Sequence, residues 1–323
     1  MLLPVFAIVI SLAVLAISAD KFVDGASSVA YQIGMSPLLI GLTVVSFGTS
    51  APEILIAIMS ASGDNPGIAI GNALGSNIAN IALILGVASI IIPLPVASTV
   101  LKREIPLLLA AVLFSCALLI DLKLTTVDGI ALIITLFLAL GWLIHQSRSE
   151  PNDIIADEYE DNVDTKSNMR SSLLITVIAL VALLVSSRTL VWGAVEIARA
   201  ANVSELMIGL SIVAIGTSLP ELAATIACLL RKEFDLAIGN VVGSNLFNAL
   251  AVLGVVGILA PGDVHEMVRN RDALVQIGLT IALFIFCIGL RGKEGRINRL
   301  EGLAFVAAFA GYQWLIYTQE VVQ

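Results

Sequence analysis

Two glutamates stand where a carboxylate is expensive. Glu53 and Glu221 each lie inside a long apolar run and close the same motif, Gly-Thr-Ser-x-Pro-Glu, at Gly48–Glu53 and Gly216–Glu221. A charged residue at a membrane-helix centre costs roughly 2.5–3.5 kcal/mol on insertion scales, so it usually faces a cavity, a partner or an ion. A protonated glutamic acid bonded to a neighbouring helix would account for a lone case. Two copies in one motif favour an ion.

The neighbouring residues add oxygen. Thr49 and Ser50 precede Glu53 by four and three positions, so their hydroxyls share its helix face, and Thr217 and Ser218 do the same for Glu221. Pro52 has no amide hydrogen for the carbonyl of Gly48, and Gly48 eases a break in the same turn. Backbone carbonyls around Ser46–Gly48 are therefore expected to be freed, an irregularity that this depth tolerates where it lines a polar cavity. Gly216 and Pro220 repeat the arrangement. A second motif, Gly-Asn-x-x-Gly-Ser-Asn-x-x-Asn, spans Gly71–Asn80 and Gly239–Asn248. Ser76 and Asn80 face one way, as do Ser244 and Asn248, and we read these four as ion ligands. Asn72, Asn77, Asn240 and Asn245 fit interhelical bonding or capping, while the GxxxG pairs Gly71/Gly75 and Gly239/Gly243 permit close helix approach. The whole set is oxygen, which suits hard cations; Ca²⁺ takes 6–8 such ligands in flexible geometry. Two carboxylates balance one Ca²⁺ or hold separate Na⁺ ions. Their repulsion without an ion would favour exchange over uniport.

The elements that must position these residues are membrane helices. Spans of about 20 mostly apolar residues are expected over Leu2–Phe22, Ser36–Ala61, Gly67–Ile92, Ile105–Ile120, Thr125–His145, Ser171–Ala194, Ser204–Leu230, Asp235–Leu259, Ala273–Leu290 and Leu300–Tyr317. No Lys or Arg precedes the first apolar run, so it reads as a retained helix rather than a signal peptide. Gly41–Gly86 aligns without a gap with Gly209–Gly254 at an offset of 168, with 19 of 46 positions identical. Five spans separate the copies, an odd number that reverses direction. The predicted fold is thus an all-α integral membrane protein of ten transmembrane helices in two inverted five-helix repeats, 1–146 and 171–323, joined by an acidic cytoplasmic linker, 147–170. Inverted repeats meeting near the midplane are a common plan for secondary transporters. A weaker match of Gly25-Ala26 with Gly193-Ala194 pairs the first span with the sixth.

Composition agrees. The 323 residues are 58% hydrophobic and only 13% charged, about half the charge of soluble domains, which argues against soluble enzymes and nucleic-acid binders. Net charge is −8, with seven acids gathered between His145 and Ser172. With the N-terminus outside, eleven Lys and Arg fall in cytoplasmic loops against four opposite, so both termini are expected outside a cell membrane. Cys116, Cys228 and Cys287 lie in apolar runs without metal-like spacing and read as core residues. Asp20, Lys21, Arg188 and Glu196 are expected to pair or snorkel, without a transport role. The bilayer is the expected partner, no cofactor or nucleic acid is implied, and a monomer is compatible with the site.

GLTVVSFGTSAPE and GLSIVAIGTSLPE, each followed by GNxxGSNxxN, resemble the two alpha-repeats of the sodium/calcium exchangers in the calcium/cation antiporter superfamily. The resemblance covers essentially the whole chain. It implies that Glu53 and Glu221 are carboxylates shared by Ca²⁺ and Na⁺, and that Thr49, Ser50, Thr217 and Ser218 flank them in further Na⁺ sites. Ser76, Ser244 and Asn80 would be ligands, completed by the carbonyls of Ser46 and Ala214. It also implies alternating access, with the first and sixth spans sliding across the rest. Many relatives carry Asp where this chain has Asn248, which removes a third acid. Proton-coupled members tend to carry Asn before Pro-Glu, where this chain has Gly-Thr-Ser, so Na⁺ coupling is expected. H⁺/Ca²⁺ exchange is the runner-up. A channel fits less well because pores are usually built from rings of subunits, and no Ser-His, Ser-Lys or HExxH arrangement inside the spans suggests a hydrolase.

Overall fold

In lipid every backbone polar group needs an internal partner, which favours helices, and the computed structural model is mostly helical. It describes residues 2–62, 66–148, 168–201, 214–288 and 295–321. Most of the linker expected over 147–170, and positions 204–213 of the seventh expected span, lie outside the described residues. In chain order the helices are α1 (Leu2–Ile33), α2 (Pro37–Thr49), α3 (Ala51–Ser62), α4 (Pro66–Ile91), the short α5 (Ser98–Lys102), α6 (Glu104–Leu118) and α7 (Thr126–Arg148). They continue with α8 (Met169–Ala200), α9 (Ala214–Thr217), α10 (Leu219–Leu230), α11 (Phe234–Leu259), α12 (Val268–Cys287) and α13 (Arg299–Val321). Four short strands, β1 (Leu94–Val96), β2 (Lys123–Leu124), β3 (Gly262–Asp263) and β4 (Gly295–Ile297), pair antiparallel as β1 with β4 and β2 with β3.

Among the described residues seven helices are long and apolar enough to cross a membrane, or eight if the bent pair α2–α3 is one span. One expected span falls short of that measure: the 15 residues of α6 rise about 22 Å, less than the roughly 30 Å of a hydrocarbon core. Of the seventh, only α9 and the 12 residues of α10 are described. The first span also ends later than expected. An apolar reading stops it at Phe22, just after Asp20 and Lys21, whereas α1 runs on through Asp24 to Ile33. Arg231 explains the extension, because its guanidinium lies 2.8 Å from Asp20 and 3.1 Å from Asp24. The small residues Gly25, Ala26, Ser27 and Ser28 then bury against neighbours.

Burial separates core from rim. In the apolar windows of α4 and α11, which carry the Gly-Asn motifs, 72% and 89% of residues are buried, against 22% in α1 and 28% in α8. Exposed Phe6, Ile10, Ile17, Leu174, Ile178 and Val185 give α1 and α8 apolar outer faces suited to lipid. These two helices lie antiparallel, and their close approaches repeat the sequence offset. A Cβ on Gly25 would sit 2.5 Å from Thr176 Oγ1 and 3.2 Å from the Ser172 carbonyl, and one on Gly193 would meet Ile8 and the Pro4 carbonyl at 2.9 Å. Gly25, Pro4 and Ile8 each differ by 168 positions from Gly193, Ser172 and Thr176. Small residues let membrane helices approach this closely. A further pair of approaches, Gly86 on Gly302 and Gly254 on Gly129, locks α13 to α4 and α7 to α11.

Candidate functional site

Each glutamate follows a break in its helix. Between α2 and α3 the axis bends by 44°, with Ser50 at φ −83° and ψ 4°. Between α9 and α10, Ser218 adopts φ −91° and ψ 7°. The missing amide hydrogens of Pro52 and Pro220 account for breaks here. The predicted release of carbonyls is visible in the second copy, where the Gly216 carbonyl accepts a hydrogen bond from Ser187 Oγ of α8 at 3.1 Å. The expectation of a free Ser46 carbonyl needs correction. It accepts from the Ser50 amide at 2.9 Å and from Thr49 Oγ1 at 3.3 Å, so an ion would have to replace a bond already made. Ala214 opens α9.

The expected ligands converge. Glu53, Glu221, Thr49, Ser50, Ser46, Ser244 and Asn248 are fully buried, and Ser76, Asn80 and Ser218 are nearly so; Thr217 is half-buried. Ser76 Oγ donates to Glu53 Oε1 at 3.4 Å, and Ser50 Oγ donates to Glu221 Oε1 at 3.2 Å. The second bond joins the broken helix of one copy to the glutamate of the other. Thr49 Oγ1 lies 3.4 Å from Ser244 Oγ and donates to Asn240 Oδ1 at 3.2 Å. Thr217 Oγ1 donates to Asn72 Oδ1 at 3.4 Å, the equivalent contact across the copies.

The four asparagines expected to bond between helices do so. Besides the two threonine contacts, Asn77 Nδ2 donates to the Asn245 carbonyl at 3.2 Å. Asn240 Nδ2 donates to the Glu221 carbonyl at 3.4 Å and to Thr225 Oγ1 at 3.1 Å. Residue type hid two participants. Neither Ser187 nor Thr225 stands out in sequence, since serine and threonine in membrane helices commonly pack or back-bond.

A set of orphaned acceptors remains. Glu53 Oε2, Glu221 Oε2, Asn80 Oδ1, Asn248 Oδ1 and Ser218 Oγ are buried without a hydrogen-bond partner. Buried polar atoms are normally satisfied by protein or ordered water, and an unpaired charged one is costlier still. Five open oxygens, two of them from the carboxylates themselves, are the kind of ligand that a hard cation lacks after dehydration. Among the described residues no three His, Cys, Asp or Glu side chains converge, here or elsewhere, so the centre has two carboxylates and otherwise neutral oxygens. A cavity of about 420 Å³ reaches this centre at Ser76 and Asn72. Its walls are the glycine face of α4, the residues His265, Met267 and Arg271 before and within α12, and Phe309 and Tyr312 of α13.

Fold and site together define a multi-pass membrane protein with a buried all-oxygen centre. Comparison with known proteins narrows this. A family model described as sodium/calcium exchanger protein matches residues 3–145 and 171–318. A putative antiporter, CaxA, from Alkalimonas amylolytica is 43% identical over 98% of this chain and all of its own length. The sodium/calcium exchanger MaX1 of Methanosarcina acetivorans is 28% identical over 93% of this chain and 94% of its own. A solved structure of the sodium-calcium exchanger NCX_Mj, soaked with Na⁺ and Sr²⁺, superposes with a TM-score of 0.81 at 32% identity, covering 96% of this chain and 97% of that one. The chain belongs to the sodium/calcium exchanger family, within the calcium/cation antiporter superfamily. Members of this family are transporters.

Proposed function

We propose that the protein exchanges Na⁺ for Ca²⁺ across a cell membrane, with both ions using the centre between Glu53 and Glu221. The orphaned oxygens carry this reading. Glu53 Oε2, Glu221 Oε2, Asn80 Oδ1, Asn248 Oδ1 and Ser218 Oγ are buried and open, and the carboxylate charge equals that of one Ca²⁺. Thr49, Ser50, Thr217, Ser76 and Ser244 supply hydroxyls, with the Ala214 carbonyl as a further oxygen. Removing the divalent ion leaves two carboxylates in a low-dielectric centre, where repulsion is strong. Monovalent ions relieve it, which couples the two fluxes. The naming of MaX1 and NCX_Mj as sodium/calcium exchangers supports the choice of ions.

Ten spans in two inverted repeats give this site its alternating access. The symmetric approaches of Gly25 and Gly193 between α1 and α8 support the repeat, as does the shared offset of the threonine–asparagine contacts. Strand pairing supports the topology. β1 with β4 joins two of the loops assigned to the cytoplasm, and β2 with β3 joins two loops assigned outside. On this topology both termini face outward, the linker over 147–170 is cytoplasmic, and the cavity beside Arg271 is an outer approach to Ser76. α1 and α8, mostly exposed and packed on each other, are the elements that slide.

The same carboxylates lack a basic partner among the described bonds, so they could carry protons instead, and H⁺/Ca²⁺ exchange is the second reading. Reconstituted protein loaded with Na⁺ or with acid separates them. Ca²⁺ uptake driven by outward Na⁺ at clamped pH is the expected result; uptake that follows only the pH gradient would sink the Na⁺ reading.

A further inference from the structure

The two copies are not in the same hydrogen-bonded state. Asn77 and Asn245 are equivalent residues, 168 positions apart, and they meet between α4 and α11. Asn77 Nδ2 donates to the Asn245 carbonyl, and Asn80 Nδ2 donates to Asn245 Oδ1 at 3.0 Å. Replacing each residue by its equivalent defines a second set: Asn245 Nδ2 to the Asn77 carbonyl, and Asn248 Nδ2 to Asn77 Oδ1. That set needs three side-chain atoms, Asn245 Nδ2, Asn248 Nδ2 and Asn77 Oδ1. All three are buried, and all three are without a partner. Unsatisfied buried amides are uncommon and call for an explanation. Here the unsatisfied atoms are the components of the symmetry-related network.

We infer that Asn77 and Asn245 form a two-position amide switch that anchors Asn80 in one conformation of the exchanger and Asn248 in the other. Each asparagine accepts in one position and donates in the other, a reversal that an amide permits because it carries both groups. In the present position Asn80 is fixed through its nitrogen, which leaves Oδ1 presented as a ligand, whereas Asn248 is fixed at neither atom. The reverse position would present Asn248 and release Asn80. Asn77 and Asn245 are thus positioning residues: they act on the ion through the amide they hold. This inference rests on the alternating-access reading, in which the copies exchange conformations.

Aspartate tests the switch, since a carboxylate accepts but does not donate. Asn245→Asp keeps the bond from Asn80 and deletes the donor of the second set, favouring the present position. Asn77→Asp does the reverse. Both add a negative charge at equivalent depth, so a general loss of folding or activity would be common to the two, and it is the direction of each shift that the switch specifies. In proteoliposomes of one orientation, the ratio of outer to inner KM for Ca²⁺ should move in opposite directions, by about two- to ten-fold each, the worth of one buried hydrogen bond. The double variant should return towards the wild-type ratio with a lower kcat. A second readout needs no transport. The three native cysteines are buried, and Gly71 lines the cavity, so Gly71→Cys reports accessibility to an impermeant maleimide. Labelling should speed up with Asn245→Asp and slow down with Asn77→Asp. Asn248→Ala and Asn80→Ala, each deleting one bond from one set, should diverge likewise in ion-free buffer. Both Asp variants shifting labelling the same way, or neither shifting it, would overturn the switch. Divergent labelling in a protein whose Ca²⁺ flux ignores Na⁺ would uphold the switch and overturn the exchange reading.

Discussion

The two copies of the Gly-Asn motif share their residues but not their bonds. In α4, Asn80 is tied through its amide nitrogen, while the equivalent Asn248 in α11 has neither amide atom paired. In α11, Asn240 is held by the Glu221 carbonyl and Thr225, while Asn72 Nδ2 in α4 is unpaired. On the glycine face of α11, a Cβ on Gly243 would lie 2.6 Å from the Leu42 carbonyl. One difference has a cause in composition, because Ala57 stands where the second copy has Thr225. The inequality of Asn80 and Asn248 arises between identical residues. It is a difference of conformation, as an exchanger built from two inverted copies requires of either of its end states.

The largest effect should come from the glutamates. Glu53→Gln and Glu221→Gln should each reduce Ca²⁺ transport to background with a monodisperse, folded protein, read by uptake and size-exclusion profile. Wild-type-like flux in either variant would remove the basis of the site. The glycine face of α11 comes next. Gly243→Ala forces a methyl against a backbone carbonyl and should destabilise by about 1–3 kcal/mol, read as a lowered thermal midpoint; an unchanged midpoint would contradict the close approach.

The asparagines sharpen it further. Asn80→Ala strands Asn245 Oδ1 and should cost about 1–2 kcal/mol of stability. Asn248→Ala removes two atoms already unpaired and should cost less than half as much, while both variants bind Ca²⁺ more weakly. Thermal unfolding in detergent, set beside binding isotherms, checks the pair. The smallest effect is expected at Arg231, whose equivalent position holds Gly63. Its pairs with Asp20 and Asp24 are part-exposed, so Arg231→Gln should shift stability by no more than about 1 kcal/mol, and raising salt should shrink the shift.

Much of the site was legible because membranes make polar residues conspicuous. Glu53 and Glu221 were identifiable from the cost of burying charge, and their neighbours from helical spacing. Hydrogen bonds link Glu53 with Ser76, Glu221 with Ser50, and Thr49 with Ser244, while Ser218 and Asn248 are buried without partners and of Ala214 the helix start alone is described. What escaped the sequence were effects of partners distant in the chain. Helix α1 outruns its apolar stretch because Arg231, over two hundred positions away, neutralises its acids. The Ser46 carbonyl is occupied because the residue after Thr49 still closes a helical turn. Ser187 takes the carbonyl that Pro220 frees, although nothing in the local sequence of α8 marks it. The inequality of Asn80 and Asn248 was invisible in principle, since identical motifs carry no record of which conformation each copy occupies.

The central claim is that one centre serves both ions, and equilibrium binding tests it most directly. Ca²⁺ titrated into purified protein at fixed pH and ionic strength, with Na⁺ replaced stepwise by a large organic cation, should bind progressively more tightly as Na⁺ falls. The Na⁺ dependence should vanish together with Ca²⁺ binding in Glu53→Gln. A Ca²⁺ affinity indifferent to Na⁺, or one retained in that variant, would contradict the account.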